Sequence, residues 1–187
     1  LFLGKSDCGT AAGQVACNFS GPRRFKDGST RDHILGFRAV NGRGEVIKSG
    51  GTVVKNVTGY DLSKLICGSY GTLAALTEIT FKVLPIAEES KTLIIHNLSI
   101  SNAPSYLEKA ISSANEVSGA SFLPIDPVCI DCDMNIENTF KLNDLKYKGS
   151  LTALRIEGSQ KSINERVVNL KKELKTENLD ISILETL

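Results

Sequence analysis

Residues 50–85 read GGTVVKNVTGYDLSKLICGSYGTLAALTEITFKVLP. Glycines punctuate the stretch, and the local pattern changes at each one. Asp61 precedes LSKLIC and Gly68 follows it, which predicts a short helix over 61–67 with an acidic N-cap and a glycine stop. Residues 76–84, LTEITFKVL, alternate apolar and polar side chains and predict a strand ending at Pro85. Between helix and strand lies Gly68-Ser69-Tyr70-Gly71-Thr72. Such a loop can turn several N–H groups and two hydroxyls onto a phosphate or ribose. It can equally be a tight turn whose glycines serve geometry alone, and spacing by itself favours that simpler reading. Lys55-Asn56 and Tyr60-Asp61 are polar pairs pinned between apolar neighbours.

Upstream, ILGFRAVN (34–41) and EVIKS (45–49) flank Gly42-Arg43-Gly44, a hairpin with a glycine turn. Further upstream, GTAAGQVACNFSGPRR (9–24) opens with the small residues Thr10, Ala11, Ala12 and Gly13. These would let the backbone approach a flat or anionic ligand. Arg23 and Arg24 follow a Gly-Pro turn, and forked arginine donors suit phosphate or carboxylate. Taken alone they read as a solvated basic loop, with Arg31-Asp32 a local ion pair.

Downstream of Pro85 the character changes. Of the 16 glycines, 13 lie in residues 1–85. The first 60 residues carry nine Lys/Arg against four Asp/Glu, and the remaining 127 carry 13 against 17. This asymmetry points the first half toward an anion. The second half alternates strands and helices: strand 91–98, helix 101–117, strand 121–125 with a weaker strand near 128–132, strand 150–157, helix 159–175 and strand 179–184. Leu107, Ala110, Ile111 and Ala114 form the apolar stripe of the first helix; Ile163, Val167, Leu170 and Leu174 form that of the second. The order β-α-β-β-α-β is that of a ferredoxin-like split unit.

The whole chain has 187 residues, 41% of them apolar and 23% charged, with formal net charge +1. That is the balance of a globular protein and excludes a disordered tail, a collagen repeat or a coiled coil. No apolar run approaches the roughly 20 residues needed to span a bilayer as a helix. Residue 1 is Leu and the single Met is Met134, so the sequence reads as part of a longer chain. Five cysteines, an odd number, read as free thiols. Cys129-Ile130-Asp131-Cys132 is a lone CxxC without a second pair, so zinc is not expected. His33 is read as a surface residue and His96 as a partly buried one in a strand.

Together the two glycine-bearing stretches resemble the vanillyl-alcohol-oxidase-type (PCMH-type) FAD-binding flavoproteins. Within them, the likeness is to the FAD-binding E subunits of bacterial glycolate oxidases. The family pattern stands here as Thr10–Gly13, Asn18–Arg24, Gly28–Gly36, Gly50–Leu65 and Gly68–Leu73, in order and nearly continuous over residues 4–85. Ala12 departs from it, where glycine is usual. The resemblance implies an α+β fold: residues 1–87 would be the second part of a PCMH-type FAD-binding domain, its N-terminal subdomain missing. Residues 88–187 would be a ferredoxin-like cap, incomplete at its C-terminus. It implies FAD as cofactor, with Thr10 and Gly13 near ribityl and pyrophosphate and Asn18 supporting the turn. Gly68, Ser69, Gly71 and Thr72 would form another part of the cradle, and Leu76 would pack near flavin or adenine. Lys55-Asn56 and Tyr60-Asp61 would brace these loops.

The activity so implied is oxidation of a 2-hydroxy acid, glycolate to glyoxylate, in a complex with a related flavin subunit and an iron–sulfur subunit. The chain itself shows no cluster-type cysteine spacing. A D-lactate-type dehydrogenase and a non-catalytic, FAD-holding or assembly subunit are the alternatives. No side chain stands out as the proton acceptor. The implied location is cytoplasmic, with inner-membrane association through partners. On this reading residues 1–187 alone hold FAD weakly or not at all. Nucleic-acid binding is disfavoured, because the second half is acidic and lacks the aromatic signature of an RNA-stacking sheet.

Overall fold

The computed structural model describes residues 9–52, 59–124 and 149–186. The chain divides into two compact units, residues 1–85 and 86–187. Both are mixed α and β with antiparallel sheets, the α+β class expected.

In the first unit three short helices, α1 (Ala11–Cys17), α2 (Arg24–Asp27) and α3 (Thr30–His33), precede strand β1 (Ile34–Asn41). Strand β2 (Val46–Gly50), helix α4 (Leu62–Ile66) and strand β3 (Ala74–Phe81) follow. The sheet order is β2-β1-β3. The predicted hairpin is present, with Val40 opposite Val46. Asn41 organises its turn, its Oδ1 accepting from the N–H groups of Arg43 and Glu45 at 2.9 and 3.0 Å. Of the turn glycines only Gly44 is left-handed, at φ 77°. Where β2 leaves the sheet, Gly50 (φ 72°) crosses Gly36 so closely that a Cβ on Gly50 would stand 2.1 Å from the Leu35 carbonyl oxygen. No other residue fits there, and this crossing pins the hairpin register. Val15, Ile34, Phe37, Ala39, Ile66, Cys67 and Ala74 form the core of this unit.

Three expectations shift here. The small residues after Thr10 open helix α1 instead of a turn, because the Thr10 hydroxyl accepts from the Gly13 N–H at 3.0 Å and nucleates it. The last strand starts at Ala74, two residues early, since Ala74 and Ala75 already pair with β1. Arg31 and Asp32 do not form an ion pair among the described residues. The Asp32 carboxylate instead accepts from the Ser29 N–H and hydroxyl, both at 2.7 Å, in a capping box for α3. Arg24 likewise lies in a one-turn helix, and Arg23 pairs with Asp27.

The second unit comprises β4 (Glu89–His96), α5 (Ala103–Ser112), β5 (Val117–Leu123), β6 (Leu151–Gly158), α6 (Gln160–Glu173) and β7 (Ile181–Thr186). Its strand order, β5-β6-β4-β7 with every pairing antiparallel, is the ferredoxin-like arrangement read from the sequence. Leu93, Ile95, Leu154 and Ile156 meet Ile163, Val167, Leu170 and Leu174 in its core. The stripe of α6 is therefore the expected one. That of α5 is met in part: Ala110 is buried and Leu107 packs against the core, whereas Ile111 is exposed and the helix stops at Ser112, short of Ala114. Strand β5 takes up the chain at Val117, four residues sooner than the alternation suggested. The weak strand near 128–132 and the CxxC lie outside the described residues.

Leu154 is wholly buried at the centre of this core. Leu154→Ala removes about 2–5 kcal/mol of stability by leaving a cavity. Urea unfolding followed by circular dichroism measures it; a loss below about 1 kcal/mol contradicts this packing.

Candidate functional site

Asn18 ends helix α1 in the left-handed conformation (φ 52°), where a short polar side chain is better tolerated than most. Its Oδ1 accepts two bonds, from the Arg31 N–H at 3.2 Å and from the Cys67 thiol at 3.4 Å. One side chain thus ties the end of α1 to α3 and to the end of α4. Asp61 caps α4 as expected, its carboxylate accepting from the Lys64 N–H at 3.2 Å. Burial pushes the Cys67 thiol above its ordinary range, against the opposing pull of Lys64 and Arg31. The thiol is therefore protonated and able to donate to Asn18.

The loop after α4 docks on the same end of α1. The Gly68 N–H donates to the Val15 carbonyl at 3.0 Å and the Tyr70 N–H to the Ala16 carbonyl at 2.8 Å. The Ser69 N–H reaches Ile66 at 3.2 Å, the Thr72 N–H reaches Ser69 at 3.0 Å, and the Thr72 hydroxyl donates to Ser69 at 2.6 Å. Of the five N–H groups in residues 68–72, only that of Gly71 makes no such bond. The tight turn that the spacing favours is what forms, and the alternative in which several amides turn outward is not met: the backbone is satisfied inward. Gly68, Tyr70 and Gly71 are all left-handed, at φ 86°, 54° and 75°.

The structure thus gathers Asn18, Gly68, Ser69, Gly71 and Thr72 at one end of α1. Thr10 and Gly13 lie toward its other end, about 12 and about 7 Å from Asn18 by helical rise. Leu76 lies within β3, half-buried against the core of the unit. Tyr60 is almost fully exposed, and Lys55-Asn56 lie outside the described residues. His33 is more than a surface residue, since its Nε2 lies 2.8 Å from the Asp27 carbonyl oxygen and its Nδ1 3.3 Å from that of Lys82. The ring on the Asp27 carbonyl and the Lys82 N–H on the His33 carbonyl, at 2.7 Å, together tie α2 to the end of β3. His96 is half-buried in β4 with its Nε2 2.7 Å from the Ser182 hydroxyl, as a structural residue would be.

Sequence reasoning missed Cys67 and Tyr70. A thiol donor leaves no spacing signal; a large residue between two turn glycines does. Among the described residues no group of His, Cys, Asp and Glu could hold a metal ion, and no helix is long and apolar enough to cross a membrane.

Two local features bear on an FAD. The Ser69 hydroxyl is buried without a hydrogen-bond partner, and a Cβ built on Gly71 meets open space. An orphaned hydroxyl and a glycine-lined opening suit a polar organic ligand, and the residues present fit the group in this respect.

The fold is similar to that of part of alkyldihydroxyacetonephosphate synthase. A solved structure of that enzyme superposes with a TM-score of 0.61 at 20% identity, covering 91% of this chain and 32% of that one. Nearer in sequence, the chain is similar to glycolate oxidase subunit GlcE of Escherichia coli, 54% identical over 84 residues, which is 45% of this chain and 24% of GlcE. It is 42% identical over 85 residues to glycolate oxidase subunit GlcD of Bacillus subtilis, and 44% over 86 residues to a D-lactate dehydrogenase of Anaerostipes hadrus. Each of these matches covers 46% of this chain and 18% of the relative. FAD-linked oxidoreductases match as well. The chain therefore spans a quarter or less of the curated relatives it matches. No family model matches it. The resemblance read from the glycine motifs stands.

Two outcomes test this geometry. Asn18→Gly keeps the left-handed backbone and loses both side-chain bonds, while Asn18→Ala loses the bonds and adds strain. Stability falls in that order, by about 1 kcal/mol at each step; chemical denaturation of the three proteins reads it, and equal stabilities contradict the hub. Asp32 is held below the usual carboxylate range first by the Ser29 hydroxyl and then by the Ser29 N–H. A depressed carboxyl stabilises the fold above its unfolded value, near pH 4, and that stability is lost as pH falls through the folded value. Asp32→Ala therefore costs stability at pH 7 and progressively less below pH 4. A constant difference across that range argues against the capping box.

Proposed function

We propose that the chain is part of an FAD-binding subunit of an assembly that oxidises a 2-hydroxy acid, with glycolate to glyoxylate as the reaction. The observation that carries this reading is the 54% identity to a glycolate oxidase subunit over 84 residues. Bound FAD supplies the hydride acceptor for the substrate carbon. The protein's part is to bind and orient. Asn18 ties the end of α1 to α3 and to Cys67, just before the 68–72 loop, Ser69 and Gly71 face the cofactor, and Thr10 and Gly13 line a second contact at the start of the helix. Thr72 keeps the loop closed and Leu76 backs it with apolar surface.

In this reading residues 1–87 are the second part of a PCMH-type FAD-binding domain and residues 88–187 its ferredoxin-like cap. A related flavin subunit and an iron–sulfur subunit complete the assembly and take the electrons onward. Its place is the cytoplasm, at the inner membrane through those partners. The similarity to a D-lactate dehydrogenase supports a second reading, the same chemistry on D-lactate.

The experiment is a visible spectrum of the full-length natural chain after desalting, then anaerobic addition of glycolate or D-lactate. A flavin spectrum bleached by glycolate supports the first reading; bleaching by D-lactate alone supports the second. Flavin that neither substrate bleaches makes the subunit a holder of the cofactor. A colourless folded protein overturns the FAD assignment.

A further inference from the structure

Helix α2 buries none of its four residues, and the ion pair of Arg23 with Asp27 is internal to it. His33 ties it to the sheet. The imidazole stands between two carbonyl oxygens, with Nε2 2.8 Å from that of Asp27 at the end of α2 and Nδ1 3.3 Å from that of Lys82, one residue past β3. The backbone fixes the ring's root in the same place, since the His33 carbonyl accepts from the Lys82 N–H at 2.7 Å. Carbonyl oxygens only accept. A neutral imidazole has one N–H, so it serves one of the two and turns a lone pair toward the other; the imidazolium donates to both. A charged donor is also held more strongly by a carbonyl than a neutral one.

The charged groups nearby are already engaged or lie in water. Asp32, adjacent on α3, has its carboxylate on Ser29, and both His33 and Lys64 of α4 act on it by charge. The Asp27 carboxylate is taken by Arg23, and Lys82 is exposed. Between pH 5.5 and 8.5 imidazole is the side chain that ordinarily changes charge.

We infer that His33 is a proton-operated latch: its imidazolium bridges the Asp27 and Lys82 carbonyls and holds α2 to the end of β3, and loss of the proton releases one of the two bonds. The latch is independent of the FAD reading. A ring that folds between two acceptors takes up a proton more readily folded than unfolded. The stability it adds is therefore complete below the unfolded histidine value, about pH 6.5, and is lost as pH rises beyond it.

Urea unfolding of the full-length natural chain, wild type and His33→Gln, at pH 8.5 and pH 5.5 tests the latch. Glutamine keeps a donor and carries no charge at either pH. His96 and every carboxylate are common to both proteins, so their titration cancels in the ratio of folding constants. That ratio, wild type over variant, rises about five- to tenfold from pH 8.5 to pH 5.5, the difference expected between a charge-assisted bond and a neutral one. Hydrogen exchange localises the effect. The Gly28 N–H, bonded to the Arg24 carbonyl at 2.9 Å, gains protection over that in His33→Gln as pH falls. A ratio that stays constant or falls toward pH 5.5 overturns the inference, and so does a Gly28 protection difference that pH does not change. Where His33→Gln does not fold, proton NMR titration of the wild-type His33 ring decides. A midpoint above that of histidine in the urea-unfolded chain supports the latch; one at or below it overturns the latch.

Discussion

The first unit depends on one constraint: every buried peptide group must find a partner. The last carbonyls of helix α1, like those at any helix end, lack a full set of helical donors, and the capping N–H groups of Asn18 and Phe19 reach only those of Gln14 and Val15. The loop after α4 supplies further donors, from Gly68 and Tyr70, and in doing so satisfies its own amides. Two segments some fifty residues apart thereby close on each other. Asn18 stands where they meet and accepts from both a peptide N–H and a thiol. The glycine loop is held in place by this exchange before any ligand is considered.

The second unit is stabilised differently. There the sheet and two helices form an ordinary layered core, with wholly buried Ile95, Leu154, Ile156, Ile163 and Leu170. Apolar area removed from water supplies the main favourable contribution, and no single polar contact carries comparable weight. Short helices, many left-handed residues and bonds between loops mark the first unit; regular strands and a long amphipathic helix mark the second. A loop scaffold suits presentation of backbone and hydroxyls, and a layered sandwich suits a rigid wall.

The legible parts of the sequence were those with local signals. The cap at Asp61, the hairpin, the stripe of α6 and the order of the ferredoxin-like unit all follow from periodicity and turn residues. The likeness of residues 4–85 to flavin-linked oxidoreductases was legible because long motifs recur in order. Helix α1 was not, since small residues resemble a turn until the Thr10 cap is known. The role of Asp32 was hidden because its partner is Ser29, three residues back, and not the adjacent Arg31. The direction of the amides in residues 68–72 was beyond reach, because it is decided by the distant carbonyls of Val15 and Ala16. Glycine spacing announces a turn and is silent about which side its donors face.

The pairing of β4 with β7 sets Ser90 directly opposite Thr186. The first and last strands of the second unit are neighbours running in opposite directions, so the start of β4 and the end of β7 lie side by side, about 5 Å apart. A module with adjoining ends can be spliced into a host polypeptide as a cassette, without stretching whatever lies on either side.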